Sequence, residues 1–290
     1  MTNVQTITCM CFRCMDKRLD TRKTHGGVQF LATNAGASIP VSPPPESDKL
    51  SVILASFFLL YRHTKEDDGL LITAQSGHYD CLDVKKIWDA ATSGVPITQR
   101  YERTLYEPYL DLARDVQRMG LDTTNSLRLL SAAKTLADMN NFLTYPEVEK
   151  GVHSNHLKFV VYYEDPTTTP YRLMIYDFAA NQYVEPKPAT FSFLKMRYTK
   201  AGPNLLDVQD NMQLLYHYEV PRRINVTQFV EQEAARLREG TSILLPQNGK
   251  RPLSSKVVSA LTRENARYAV NYARSAGLRI ARNTPLRHFL

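Results

Sequence analysis

The sequence has few cysteines, a single tryptophan and no long apolar run. Its 290 residues contain only four cysteines, at positions 9, 11, 14 and 81, which argues against a disulfide-stapled secreted domain. No apolar run approaches the roughly 20 residues that a membrane-spanning helix needs. The opening Met-Thr-Asn-Val-Gln lacks the basic and apolar regions of a secretory signal. These absences predict a soluble, intracellular protein, cytoplasmic or in an organelle.

Several common catalytic signatures are missing as well. No phosphate-binding loop, Ser-His-Asp order or dinucleotide fingerprint occurs in a suitable setting. Six of the seven histidines form no convincing ligand set among themselves, and we interpret them as surface or polar-core residues: His25, His63, His153, His156, His217 and His288.

The composition is that of an ordinary globular protein. With 43% hydrophobic residues, a chain of this length can bury a full core as one large domain or two smaller ones. The net charge of +7 is unevenly placed, because residues 190–290 contain 16 Lys and Arg against 7 Asp and Glu. That segment therefore carries +9, and the preceding 189 residues carry −2.

The first third of the chain alternates strand and helix patterns. Apolar and β-branched runs predict strands over 6–12, 28–32 and 70–74, and a helical apolar run covers Leu50 to Tyr61. A further helix is predicted over 83–91. This order indicates an α/β protein with a mostly parallel sheet flanked by helices.

Later elements are predicted from helix and strand signals. Helices are expected from Pro108 to Gly120 and from 126 to 143, with Asp122 or Thr123 as the N-cap of the second. Strands are expected over 157–163, 171–178 and 183–184, and Pro186-Lys187-Pro188 is a reasonable end of the domain.

A candidate metal site lies at the ends of two of these strands. Cys14 is followed by Asp16 and Arg18, and some sixty residues later Gly77-His78-Tyr79-Asp80-Cys81 follows the third strand. Two thiolates, an imidazole and a carboxylate are the ligands that zinc prefers in a tetrahedral site. Neither the run from Cys14 to Arg18 nor the run from Gly77 to Cys81 is specific for a metal site by itself. Strand alternation favours core packing over ligation for Cys9 and Cys11.

In this order the motifs resemble those of the β-class carbonic anhydrases. That family carries Cys-x-Asp-x-Arg after its first strand, Arg-Asn-Ala-Gly after its second, and Gly-His-x-x-Cys-Gly after its third. The matching residues are Cys14, Asp16, Arg18, Asn34, Ala35, Gly36, Gly77, His78 and Cys81. Residues 141–148 and 157–162 are a weaker echo of the family's last helix and edge strand, so the resemblance covers about the first 190 residues.

The resemblance implies a zinc enzyme that reversibly hydrates carbon dioxide to bicarbonate. Cys14, His78 and Cys81 would bind Zn²⁺, which lowers the pKa of its bound water to about 7 and so supplies hydroxide at neutral pH. Asp16 would either occupy the fourth metal position or, when held by Arg18, accept a hydrogen bond from the hydroxide. Carbonyl sulfide and carbon disulfide are alternative substrates, and a homodimer is implied.

Three departures from the family pattern favour a second hypothesis. Thr33 replaces the usual Arg, Leu82 replaces the Gly after the second Cys, and Ser42–Ser47 lengthens a loop near the site entrance. Loss of the Gly is expected to change the backbone beside the metal. The alternative is therefore a zinc-binding but catalytically silent subunit of a larger assembly.

The segment 190–290 is predicted to be a basic, largely helical extension of a zinc domain spanning 1–189. It contains a predicted strand over 212–218 and predicted helices over 227–239 and 254–276; the second helix places Arg263, Arg267 and Arg274 opposite an apolar stripe. We expect it to dock on an acidic partner or a second copy and to add nothing to the zinc chemistry. Nucleic acid or acidic lipid is a less favoured partner.

Overall fold

The fold is seen in a computed structural model that describes residues 7–14, 30–39, 49–66, 70–154, 156–167, 172–184, 198–199, 202–203 and 223–246. Its main sheet has six strands: β1 (Ile7–Cys14), β2 (Phe30–Asn34), β3 (Leu70–His78), β4 (Leu157–Asp165), β5 (Arg172–Asp177) and β6 (Gln182–Val184). A separate pairing joins β7 (Tyr198–Thr199) and β8 (Gly202–Pro203).

The helices are α1 (Lys49–Glu66), α2 (Leu82–Ser93), α3 (Arg100–Tyr106), α4 (Leu110–Arg118), α5 (Thr123–Phe142), α6 (Pro146–His153) and α7 (Val226–Arg238). Short 3₁₀ turns cover Ala35–Ala37 and Glu107–Tyr109. Among the described helices, none has both the length and the apolar character needed to cross a membrane.

The main sheet has the strand order β2-β1-β3-β4-β5-β6. The first four strands in this order run parallel, and β5 and β6 are added antiparallel at one edge. The predicted α/β class with a mostly parallel sheet is thus confirmed. Because parallel strands end at the same edge, this topology brings the ends of β1 and β3 together.

The largest difference from the predicted strands is in β3, which continues to His78 instead of ending near Ala74. Its last residues before the motif, Gln75 and Ser76, are polar but fully buried. The Gln75 side chain donates to the carbonyl of Ala37, and the Ser76 hydroxyl donates to Glu164 on β4. Such pairing makes polar residues tolerable inside a sheet, and sequence periodicity does not show it.

Most predicted helices are present, and two, α3 and α6, were not predicted. Helix α3 has only seven residues, which is shorter than the window of about 11 residues in which a helical apolar repeat can be recognised. Pro108 lies inside the 3₁₀ turn before α4. The N-cap of α5 is Asp122, as predicted, and its side chain accepts from the amide of Asn125 at 2.9 Å.

Helix α7 packs against α5 and the edge of the main sheet. Asn225 is its N-cap, and Phe229, Val230, Ala234 and Leu237 are buried against α5 and the β5–β6 edge. The Phe229 ring lies 6.0 Å from that of Tyr176 and 5.8 Å from that of Tyr183, in edge-on geometry. This part of the C-terminal segment therefore contacts its own chain. The predicted strand over 212–218 and helix over 254–276 lie outside the described residues.

Gly77 is the point where α5 lies against β3. A β-carbon added at residue 77 would lie 1.7 Å from Oγ1 and 2.9 Å from Cβ of Thr135 on α5. The glycine of the Gly-His-x-x-Cys motif is therefore required by helix packing. Gly77→Ala is expected to lower the free energy of unfolding by about 3 kcal/mol or more, measured by urea denaturation.

The matched control is Gly94→Ala. Gly94 has φ +69 and no atom within 4 Å of an added β-carbon, so this change should cost only the backbone strain of about 1–2 kcal/mol. Thr135→Ala in the Gly77→Ala background should recover part of the loss, because the nearest clashing atom is removed. Equal losses for the two glycine variants would contradict this packing account.

Candidate metal centre

Three potential metal ligands meet at the carboxyl edge of the parallel strands. Cys14 is the last residue of β1, His78 is the last residue of β3, and Cys81 follows the two-residue turn after it. All three side chains are buried, and one ligand atom from each lies within 4.8 Å of the other two. The parallel register of β1 and β3 brings these residues together although 67 positions separate the two cysteines.

The spacing of the two sulfurs fits a tetrahedral zinc ion. Cys14 Sγ and Cys81 Sγ are 3.8 Å apart; two sulfurs each about 2.3 Å from one tetrahedral zinc would be about 3.8 Å apart. A disulfide needs about 2.05 Å between sulfurs, and both cysteines are free thiols. Two sulfurs and one imidazole form a donor set that favours zinc over magnesium or calcium.

A backbone carbonyl orients the imidazole. His78 Nδ1 lies 2.8 Å from the carbonyl oxygen of Tyr79. Since a carbonyl can only accept, Nδ1 carries the proton and Nε2 carries the lone pair that a metal could use. This contact is the common outer-shell arrangement of a metal-binding histidine.

Without a metal, the Cys81 thiol resists ionisation. The pKa of the Cys81 thiol is raised well above its usual range, first by its hydrogen bond with the Cys14 thiol and then by burial, with further contributions from Cys14 and Asp83. Two neighbouring thiolates in an apolar site repel each other and lose hydration. A divalent cation is the natural counter-charge for such a pair.

Asp83 is a residue beside the cluster that sequence reasoning missed. Its carboxylate lies 3.9 Å from Cys81 Sγ and accepts a hydrogen bond from the hydroxyl of Tyr106 on α3. Burial, together with the Asp83 carboxylate, raises the pKa of Tyr106 well above its usual value, so this phenol stays a donor. In the sequence, Asp83 resembles an ordinary acidic residue in the first turn of a helix.

The backbone at Leu82 is not strained. Leu82 starts α2 with ordinary helical geometry, so replacing the family glycine does not strain the chain there. The unusual conformation lies two residues earlier, at Asp80 with φ +59, and aspartate tolerates this left-handed region better than most residues. The Leu82 side chain is 70% exposed.

The segment after β2 is held near the cluster by a buried polar network on α5. Lys134 Nζ donates to the Gly36 carbonyl at 3.0 Å and to Asp138 at 2.8 Å. Asp138 also accepts from the amide of Ile39 at 2.9 Å and from the Tyr109 hydroxyl. Burial raises the pKa of the Asp138 carboxyl, and the Lys134 ammonium offsets part of that rise.

Only some of the other predicted site residues belong to the part of the chain that the structure describes. Thr33 pairs with Arg13 in the β1–β2 ladder, and Asn34 pairs with Cys14. Asp16 and Arg18, the predicted catalytic pair, and the Ser42–Ser47 loop lie outside the described residues.

Comparison with known proteins gives distant structural matches. No family model matches the sequence, and no curated protein matches it. Solved structures with overlapping folds include the β-carbonic anhydrase CcaA (19% identity, TM-score 0.48, 63% of this chain and 85% of that chain). A tetrameric β-carbonic anhydrase from Sordaria macrospora overlaps at 14% identity and TM-score 0.43 (59% and 81%). A Coccomyxa β-carbonic anhydrase in complex with acetazolamide overlaps at 15% and 0.39 (58% and 72%). The chain is similar to these proteins at a distance that does not establish its family.

The buried Lys134–Asp138 pair generates a stability prediction. Lys134→Met should lower the free energy of unfolding by about 3–5 kcal/mol at neutral pH, because it leaves the Asp138 carboxylate buried without its cation. The loss should shrink as the pH falls from about 8 to 4, since a folded-state carboxyl with a raised pKa takes up a proton before the unfolded one does. Urea denaturation across that pH range measures both effects.

The control is the exposed pair Arg114–Asp111, which has an N···O distance of 2.6 Å and also lies within one helix, at a spacing of three residues. Arg114→Met should change stability by less than about 0.5 kcal/mol at any of these pH values. A pH-independent loss for Lys134→Met would show that its contribution is packing and not charge.

Proposed function

We propose that this protein is a zinc-dependent carbonic anhydrase of the β-class type, hydrating carbon dioxide reversibly to bicarbonate. The observation that carries the proposal is the buried Cys14–His78–Cys81 cluster with its 3.8 Å sulfur separation. The order of motifs along the chain supports it independently: a Cys-x-Asp-x-Arg run after β1, an Asn-Ala-Gly turn after β2 and Gly-His-x-x-Cys at the end of β3.

Cys14, His78 and Cys81 would hold one zinc ion, with Asp16 as a candidate fourth ligand. Bound zinc would acidify a water to a pKa of about 7 and so provide the nucleophile for carbon dioxide. The Tyr79 carbonyl keeps His78 in the tautomer whose Nε2 can bind metal. All three side chains, those of Cys14, His78 and Cys81, are nearly inaccessible to solvent.

Asp16 and Arg18 are proposed to act as a pair. Asp16 follows Cys14 by two residues, within reach of the same metal, and its carboxylate would accept a hydrogen bond from the nucleophile. Arg18 would hold Asp16 off the metal through a charge-assisted hydrogen bond. The same chemistry extends to carbonyl sulfide and carbon disulfide, which are also linear molecules with an electrophilic carbon.

The proposed organisation is a zinc domain over 1–189 and a basic extension over 190–290, in a homodimer or a larger complex. The packing of α7 on α5 ties part of that extension to the zinc domain. An assembly role is therefore proposed for the remaining part, whose charge is strongly positive.

A second candidate is a zinc-binding subunit that is catalytically silent. The observation that favours it is the exposed Leu82 at the start of α2, directly after a ligand. An exposed apolar side chain beside the proposed metal centre is available to a partner surface.

Zinc content tests the shared part of both candidates. The purified protein should bind one zinc per chain, and Cys14→Ser should reduce occupancy well below one, because a neutral hydroxyl replaces a thiolate ligand. Cys11→Ser is the matched control on the same strand, because the sequence pattern favours core packing over ligation for Cys11. Zinc lost equally from both variants, or absent from the wild type, would contradict the proposed centre.

Activity separates the two candidates. Stopped-flow measurement should show carbon dioxide hydration by the zinc-loaded protein, and Asp16→Asn should lower kcat/KM at least about a hundredfold with zinc retained. The amide keeps the shape of the side chain but is a poorer acceptor. A zinc-loaded wild type with no hydration activity would favour the silent subunit.

A further inference from the structure

One buried cation lies between the C-terminal segment and the metal turn. Arg128 on α5 is 4% exposed, and its Nη1 donates to the Asp165 carboxylate at 2.9 Å and to the carbonyl of Leu244 at 3.0 Å. Its guanidinium carbon lies 3.6 Å from the centre of the Tyr79 ring. Arg128 therefore contacts β4, the C-terminal segment and the turn between His78 and Cys81 at once.

The Tyr79 contact matters because the backbone of Tyr79 holds a proposed ligand. Its carbonyl accepts from His78 Nδ1 at 2.8 Å, and its amide donates to the carbonyl of Glu164 at 2.8 Å. A planar guanidinium stacked on the aromatic face fixes the ring, and with it the peptide that carries this carbonyl. A second contact from α5 reaches the same turn, since the Ser131 hydroxyl donates to the His78 carbonyl.

Polar contacts also hold the turn after α7 that contains Leu244. The Leu244 amide donates to Ser242 Oγ at 3.0 Å, and the Ser242 hydroxyl donates to Glu233 on α7. Glu233 also pairs with Arg236 at 2.8 Å. These bonds fix the turn after α7 that presents the Leu244 carbonyl to Arg128.

We propose that Arg128 is a positioning residue through which residues 242–246 stabilise the metal-binding orientation of His78. The inference rests on the proposed zinc site, and it replaces the expectation that the C-terminal segment adds nothing to the zinc chemistry. The chain of contacts runs from Leu244 to Arg128, then to Tyr79, and then to His78. Outer-shell contacts of this kind commonly change metal affinity by about 10–100-fold.

The test removes the stacking platform while leaving the buried ion pair intact. In the full-length protein, Tyr79→Leu should weaken zinc binding about tenfold in competition with a chromogenic chelator, whereas Tyr79→Phe should remain within about twofold of wild type because it keeps the ring. Ser242→Ala should give a smaller loss in the same direction, since it loosens the turn at Leu244. Arg128→Met should show the largest loss, with folding checked by circular dichroism because Asp165 loses its partner.

A spectroscopic readout separates positioning from general stability. In metal-free protein labelled with ¹⁵N-histidine, His78 should be a single Nδ1–H tautomer in the wild type and Tyr79→Phe, and a mixture in Tyr79→Leu. The control is Arg238→Met on α7, which loses a hydrogen bond to the Met119 carbonyl far along the chain from the metal turn. It should leave both the tautomer and the zinc affinity unchanged.

The outcomes distinguish this inference from the proposed function. A wild-type protein that binds no zinc would overturn the proposed metal centre itself. Zinc binding by the wild type with equal affinity and tautomer in Tyr79→Leu and Tyr79→Phe would overturn the positioning role alone. Equal losses in Tyr79→Leu and Arg238→Met would also overturn it, because the effect would then be general destabilisation.

Discussion

Helix α5 lies so close to the carboxyl end of β3 that residue 77 has no room for a side chain. This approach lets Ser131 reach the His78 carbonyl, Lys134 reach the Gly36 carbonyl and Arg128 reach the Tyr79 ring. A single helix therefore positions both the metal turn and the segment after β2. If α5 were displaced by the size of one methyl group, each of these contacts would lengthen together, because protein interiors are close-packed and transmit strain.

The candidate site depends on buried contacts of α5 as well as on its three ligands. Its buried face includes two charged pairs, Lys134 with Asp138 and Arg128 with Asp165, each nearly inaccessible to solvent. Buried pairs of this kind contribute little net stability but are costly to break. The Arg128–Asp165 pair joins α5 to β4, and Lys134 and Asp138 bond the segment after β2. These bonds fix where the helix lies against the sheet that carries the three ligands.

Much of the fold could be predicted from the sequence because the apolar repeats of β1, β4 and α7 are local signals. The cluster of Cys14, His78 and Cys81 could be proposed because parallel strands end at one edge. The buried polar face of α5 could not be predicted from the sequence, because Lys134 and Asp138 resemble surface residues until their buried partners are known. Asp83 and Tyr106 were missed for a similar reason: their contact joins the first turn of α2 to α3, a helix of seven residues that the sequence pattern did not predict.

The central claim is that Cys14, His78 and Cys81 bind one zinc ion in a tetrahedral site. X-ray absorption at the zinc edge of the purified protein measures the ligands directly. The account predicts two sulfur neighbours at about 2.3 Å and two nitrogen or oxygen neighbours at about 2.0–2.2 Å. A first shell made only of oxygen and nitrogen, or one with four sulfurs, would contradict it.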